Sequence, residues 1–338
     1  MRPLILSLIL IGVAVLPLSA QKLIVRQSSG TPHFYTKLDD AITEAVSNDT
    51  LYLPNGYFDL NVSIDKKLHF IGVGHHPQNA GASGITYIGG SRDFEMTDVS
   101  DGSTCQGLYL YNGFTLYEGV TNLFISRCNV NTLSRSSDVF VENITFSECV
   151  FRSSIFCPMQ YCQFNNCIFQ DYFYMNYRNC NFSNSIFLSG GFPMSGGAYQ
   201  IPAGIAEYCD FSNNVFCTLE GLRNVGICTF RNNVFGGLPV FDGVNLVGSG
   251  NKTEVLQSAV FVRQTDHVFS YDNNYQMAIE EYNTAGTGGT AIGIYGGLSP
   301  WKDSTTPSNP VIESKGISGT TNADGTLNVQ IKVSAQQR

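Results

Sequence analysis

Between residues 123 and 235 the apolar positions recur as a short unit, Cys-x-Phe-x-Asn-x-(Ile/Val)-Phe. Full copies start at Cys162, Cys180, Cys209 and Cys228. A weaker copy starts at Ile144 and a fainter one at Leu123. The central residue steps through Ile125, Phe146, Phe164, Phe182, Phe211 and Phe230, at intervals of 21, 18, 18, 29 and 19. A repeat of about 20 residues with a variable period predicts a solenoid whose insertions lie in loops. Within the unit, residues two apart share a strand face. The Asn two places after the Phe stands where a tight bend needs a left-handed conformation. The unit therefore reads strand, sharp turn, short strand, and no helical period runs through it. These features predict an all-β fold, a right-handed parallel β-helix.

In such a fold each sequence column becomes a ladder with rungs about 4.8 Å apart. Leu123, Ile144, Cys162, Cys180, Cys209 and Cys228 form one column, and the central residues form the next. Val130, Phe151, Phe169, Phe187, Phe216 and Phe235 form a third. Cys128, Cys149, Cys167, Ser185, Asn214 and Asn233 form a fourth beside the bend. The pattern leaves open whether this fourth column or the Ile/Val after it points inward.

The flanks differ. Thr36-x-x-Asp39 marks a helix start. Leu38, Ala41, Ile42, Ala45 and Val46 then follow helical spacing up to Asn48-Asp49, predicting a helix over the first coil. Strands follow at Leu51–Leu53 and from Leu68, and Leu327, Val329, Ile331 and Val333 alternate as a terminal strand that pairs with an edge or a partner. Residues 1–20 read as a signal peptide, with Arg2, the apolar run Leu4 to Leu16, and Leu18-Ser19-Ala20 before a cut at Gln21. The expected organisation is 1–20 signal peptide, 21–50 N-terminal cap, 51–295 β-helix, and 296–338 linker and terminal strand. The expected location is secreted, at the cell surface or in the periplasm.

Composition fits that picture. Among 338 residues there are 23 Phe, 10 Cys and one Trp, and charged residues make up 14%. A net charge of -8 argues against nucleic acid, which needs a basic footprint. No segment after the signal is long and apolar enough to span a membrane. Ten cysteines in an exported chain permit disulfides, but all lie between Cys105 and Cys228 and most fall in the repeat columns. Stacked side chains rarely reach disulfide geometry, and the repeat has no Cys-x-x-Cys or His for a metal. Buried free thiols are the reading preferred over a disulfide or a metal site.

Asp49-Thr-Leu-Tyr-Leu-Pro-Asn-Gly-Tyr57, Asp65-Lys-Lys-Leu-His-Phe-Ile-Gly72 and the Asn-bearing coils after them resemble secreted right-handed β-helix proteins of the pectate-lyase-like type, over roughly residues 35 to 295. Gly293-Ile-Tyr-Gly-Gly297 and the tail from Asn322 are similar to uncharacterised exported β-helix proteins of Bacteroidetes-like bacteria. The resemblance implies a superfamily rich in enzymes that cleave polysaccharides. Yet the Asn-Thr-Asp, Gly-His-Gly and Arg-Ile-Lys signatures of its hydrolases are absent, and no Lys occurs between Lys67 and Lys252.

Candidate chemistry is sparse. Asp93, Glu95, Asp98 and Asp101 offer oxygen ligands for a calcium ion. His75-His76, and Asp266-His267 with Glu280-Glu281, are further titratable groups. No catalytic residue is assigned. Tyr172, Tyr174 and Tyr177 place phenols in one short stretch, with Tyr172 and Tyr174 on one strand face, and rings of this kind stack on sugars. The expected function is a non-catalytic scaffold presenting a binding surface to a polysaccharide or a cell-envelope protein. The alternative is a polysaccharide lyase or glycoside hydrolase with an atypical site.

Overall fold

The computed structural model describes residues 24–28, 31–77, 84–189, 206–217, 226–236, 247–264, 266–307, 311–317, 320–322 and 324–334. The expected signal peptide lies outside the described residues. The repeat folds as predicted, into parallel sheets stacked as a β-solenoid of about 8 turns. Each central copy contributes a three-residue strand, such as Gln163–Asn165 or Asn181–Ser183, to a twelve-stranded sheet. A bend follows, then a two-residue strand such as Ile168–Phe169 or Ile186–Phe187 in a nine-stranded sheet. Smaller sheets of three and four strands line other parts of the coil.

The bend is left-handed in all six copies, at Arg127, Glu148, Asn166, Asn184, Asn213 and Asn232, with φ between 49° and 58°. Asn adopts this conformation at low cost, which explains its recurrence. Register follows the columns: Phe146, Phe164, Phe182, Phe211 and Phe230 pair rung to rung. Their rings stack at 4.7–5.2 Å between centroids. The rings from Phe151 to Phe235 form a second stack at 4.5–5.1 Å. All these rings are buried, each contributing about 1.5–3 kcal/mol of burial.

The fourth column, open in the sequence, faces inward. Cys128, Cys149 and Cys167 pack in the interior cluster with the Phe stacks. Nearer the C-terminal end asparagines replace the thiols and make a hydrogen-bonded ladder. Asn214 Nδ2 donates to Phe182 O (2.8 Å), while Asn214 Oδ1 accepts from Ser185 N (2.8 Å). Asn233 and Asn251 repeat the arrangement on the next rungs. Val150, Ile168, Ile186, Val215 and Val234 consequently point outward, yet they too are buried, in a second cluster outside the coil. All ten cysteines are free and buried. Burial pushes the Cys105, Cys128, Cys157 and Cys167 thiols up, which suits them as small apolar fillers.

At the N-terminal end the expected helix is present as Leu38–Glu44, burying Leu38, Ala41 and Ile42. Lys37, not Thr36, is its N-cap, with no side-chain bond. Val46, expected on the buried face, is exposed. The helix has ended by Ala45, and the Asp49 carboxylate accepts Val46 N (2.9 Å) in the turn that follows. A hairpin unforeseen in the sequence, Ile24–Gln27 with Pro32–Tyr35, extends the twelve-stranded sheet antiparallel. The expected terminal strand is Val329–Ser334, and it pairs antiparallel with Val311–Ile317.

Candidate ligand recess and the strap that forms it

After Val247–Ser249 joins the twelve-stranded sheet, the chain turns back along the outside of the coils as a strap, residues 261–307. It begins with the antiparallel pair Phe261–Arg263 and Asn274–Met277. Two features of the repeat hold it. The outward Ile/Val column would be an exposed apolar stripe; Phe261, Phe269, Met277, Ile292, Ile294 and Trp301 cover it. The left-handed bends also turn their side chains toward the strap. Asn166 Nδ2 donates to Ile294 O (2.8 Å) and Gly296 O (2.9 Å). Asn184 Nδ2 reaches Ala291 O (3.4 Å) and Gly293 O (3.5 Å), and Asn213 Oδ1 accepts Thr287 N (2.9 Å). Asn232 Nδ2 donates to Thr287 Oγ1 (3.2 Å).

On the earlier coils Arg127 and Glu148 take over the Asn positions. Glu148 accepts the backbone amide of Lys302 and pairs with Arg127 at 3.1 Å, while Arg127 Nη1 donates to Thr306 O. This ion pair is only 8% and 7% exposed. Burial pushes the Glu148 carboxyl up and Arg127 pulls it back down. The strap thus descends the solenoid against the direction of the coils. Gly296 lies so close to Ala291 O and Asn184 Nδ2 that a Cβ there would overlap both.

Where the strap passes the loop at His75-His76 it walls a recess of about 520 Å³, inside the usual size for small-ligand sites. Aromatic walls come from Phe269, Tyr271, Tyr275, Tyr295 and Trp301. The polar lining includes His76, Arg263, Asp272, Asn273, Asn274, Gln276 and Asp303. Tyr295 Oη donates to Asp303 Oδ1 (2.7 Å), and burial with that carboxylate pushes its phenol up. Behind the wall, the Tyr271 hydroxyl receives Asn129 Nδ2 (2.8 Å) and lies 2.8 Å from His75 Nδ1. The other ring nitrogen of His75, Nε2, is buried with no hydrogen-bond partner among the described residues. Burial holds the His75 pKa down at about 3, so the ring is neutral. Thr305 Oγ1 accepts both His75 N (3.1 Å) and His76 N (3.0 Å), tying the strap to this loop.

The residues singled out in the sequence lie elsewhere. Tyr172 and Tyr174 share a face as expected, 6.0 Å apart edge-on, with Tyr174 stacked on Phe156 at 5.2 Å. Tyr177 occupies an inward rung between Met159 and Ala206 and is fully buried, so it presents nothing to a ligand. Asp93 accepts Thr115 Oγ1 (2.7 Å), Glu95 pairs with Arg92 (2.6 Å), Asp98 accepts the amide of Val99 (3.0 Å), and Asp101 accepts Thr121 Oγ1 (2.6 Å). Each acid thus has its own protein donor. Among the described residues no group of three or more His, Cys, Asp or Glu could hold a metal ion. His267 is bound to Leu188 O (2.7 Å) and Glu281 to Lys252 (2.9 Å), on different parts of the strap. Trp301 and the strap tyrosines were missed. The single Trp of the chain was the available signal, since Trp suits a wall that is apolar on one side and wet on the other.

Among the described residues no helix is long and apolar enough to cross a membrane. No protein-family model, curated protein or solved structure matches the chain.

Proposed function

We propose that this protein is an exported, non-catalytic β-solenoid of the pectate-lyase-like type that binds a polysaccharide in the strap recess, outside the cell or in its envelope. The observation that carries this reading is the lining of the recess. Half-buried Tyr271 and Tyr295, backed by buried Phe269, Tyr275 and Trp301, stand with Asn, Gln, Asp and His side chains in one concavity. Sugars are recognised by this combination, with C–H faces against rings and hydroxyls on amides and carboxylates. The rigid coils beneath hold the recess in shape at little ordering cost on binding.

Affinity electrophoresis in gels containing soluble xylan, mannan, β-glucan or pectate tests it. The protein is expected to be retarded by at least one polymer, and Asn274→Ala with Asp303→Asn is expected to restore free mobility. Retardation by none, or retardation unchanged in the variant, overturns the reading. A second reading is favoured by one observation, that Asp272 and Asp303 line the same recess. Two carboxylates are the usual minimum for glycoside hydrolysis. Release of reducing ends or unsaturated products from the retarding polymer, measured with and without calcium, would replace binding by catalysis.

A further inference from the structure

The outward column of the nine-stranded sheet changes character along its length. From the C-terminal end it runs Val234, Val215, Ile186, Ile168, Val150, all under the strap. It then continues through Asn129 to Tyr109, Tyr87 and Tyr57 on successive coils. Tyr111, two residues after Tyr109, adds a fourth ring on the same face. Centroids lie 5.0 Å apart for Tyr87 and Tyr109, 5.2 Å for Tyr57 and Tyr87, and 5.1 Å for Tyr87 and Tyr111. Tyr57 and Tyr111 are 57% and 52% exposed. A shallow hollow of about 450 Å³ lies beside them, lined by Asn55, Gly56, Tyr57, Gly84, Ile85 and Tyr87.

Solvent-facing tyrosines stacked over three coils do nothing for the interior, which is already filled by phenylalanine. Their position is informative. Asn129, the next rung after Tyr109, donates to the Tyr271 hydroxyl, and Tyr271 is a wall of the recess. The tyrosine ladder therefore ends at the back of the Tyr271 wall of the recess. From Tyr57 to Asn129 is three rungs, about 14 Å along the solenoid axis.

Resting on the reading of the recess as a polysaccharide site, we propose that Tyr57, Tyr87, Tyr109 and Tyr111 form an extension of it, along which an unbranched neutral glycan lies parallel to the solenoid axis. The ladder repeats at about the length of one pyranose unit in an extended chain. Tyr57 and Tyr111 are the more exposed rings of the ladder, and amphipathic rings of this kind suit contact with sugars. At the far end of the ladder Asp59 lies within hydrogen-bonding reach of Tyr57, which disfavours an anionic sugar there; nearer the recess Arg152 Nη1 already donates to Tyr109 Oη (3.0 Å).

The test is calorimetric titration with cello-, manno-, xylo- and chito-oligosaccharides of two to eight residues. For the series that binds, affinity is expected to keep rising with length beyond the size that fills the recess. Tyr57→Ala with Tyr111→Ala is expected to weaken the longest oligomer about tenfold, a value typical of losing two aromatic contacts, and to leave the dimer within twofold. Both residues are surface side chains, and an unchanged thermal transition in the double variant confirms its fold. Affinity that does not grow with length, or a double variant that binds the octamer as the parent does, overturns the extension while leaving the recess standing. If no oligosaccharide binds the parent protein, the recess reading fails and the extension with it.

Discussion

Acid should release the strap, and His75 is the group that makes it do so. The ring is fully buried, its Nδ1 faces the Tyr271 hydroxyl, and the Trp301 ring lies 6.5 Å away. The groups around it are Tyr271 and Trp301 from the strap, Thr305 on its amide, Asn129 beyond Tyr271, and neighbouring His76. Besides burial, the neighbouring His76 holds the His75 pKa down by charge repulsion. With the pKa lowered from 6.5 to about 3, the released state takes up a proton below pH 6.5 that the docked state refuses. Stability is therefore complete above pH 6.5 and declines as pH falls toward 3. The slope approaches about 1.4 kcal/mol per pH unit, giving about 2 kcal/mol at pH 5. Because the contacts of His75 are with the strap, the loss falls on strap docking before the coils.

The assay is built into the chain. Trp301 is the only tryptophan and is 8% exposed, so its emission reports docking directly. Urea titrations followed at Trp301 should show a midpoint that falls between pH 6.5 and 5, above the range where ordinary carboxylates titrate. His75→Gln, which cannot titrate, should flatten that slope whatever its own stability. A slope in His75→Gln equal to that of the parent would refute the reasoning.

Three further outcomes follow from the same contacts. Gly296→Ala forces a methyl into Ala291 O and Asn184; it should red-shift Trp301 emission in the native state, with circular dichroism of the coils unchanged. Asn166→Ala loses two strap hydrogen bonds and leaves at φ 55° a residue without the short polar side chain that lets Asn adopt it. It should cost about 2–3 kcal/mol, and Asn166→Gly should recover about 1 kcal/mol by relieving the backbone alone, as read by chemical denaturation. Phe182→Ala opens a gap between Phe164 and Phe211; a destabilisation of about 3–5 kcal/mol is expected from the same measurement.

The repeated part of the fold was readable because stacking imposes the same demand on every coil. A single Phe at 182 says little, but Phe at 146, 164, 182, 211 and 230 defines a ladder. The fourth column was not readable, since hydropathy alone favours Ile or Val inside over Cys, Ser or Asn. Its direction is decided by the strap, which buries the Ile/Val column from the other side. The strap itself has no period to detect. Its bonds join residues such as Asn166 and Ile294, far apart in sequence, and its glycines are chosen by the surface beneath them. The Asn bends were read as conformational necessities, which they are; that the same amides also grip a distant segment leaves no local signal. Tyr177 was grouped with Tyr172 and Tyr174 by proximity in sequence, but its rung pairs with the inward positions Met159 and Ala206.

Solenoids lengthen and shorten by whole coils, because each coil touches only its neighbours. The strap removes that freedom here. Thr287 is fixed at Asn232 and Asn213, and Thr306 at Arg127. The span between them is five rungs, about 24 Å. Duplicating or deleting a coil inside this span would shift every Asn below the change out of step with its carbonyl. The strap thus acts as a tally of the coils beneath it. It also ties distant coils into one mechanical unit, so pulling on the ends should give one large rupture where an unstrapped solenoid would peel coil by coil.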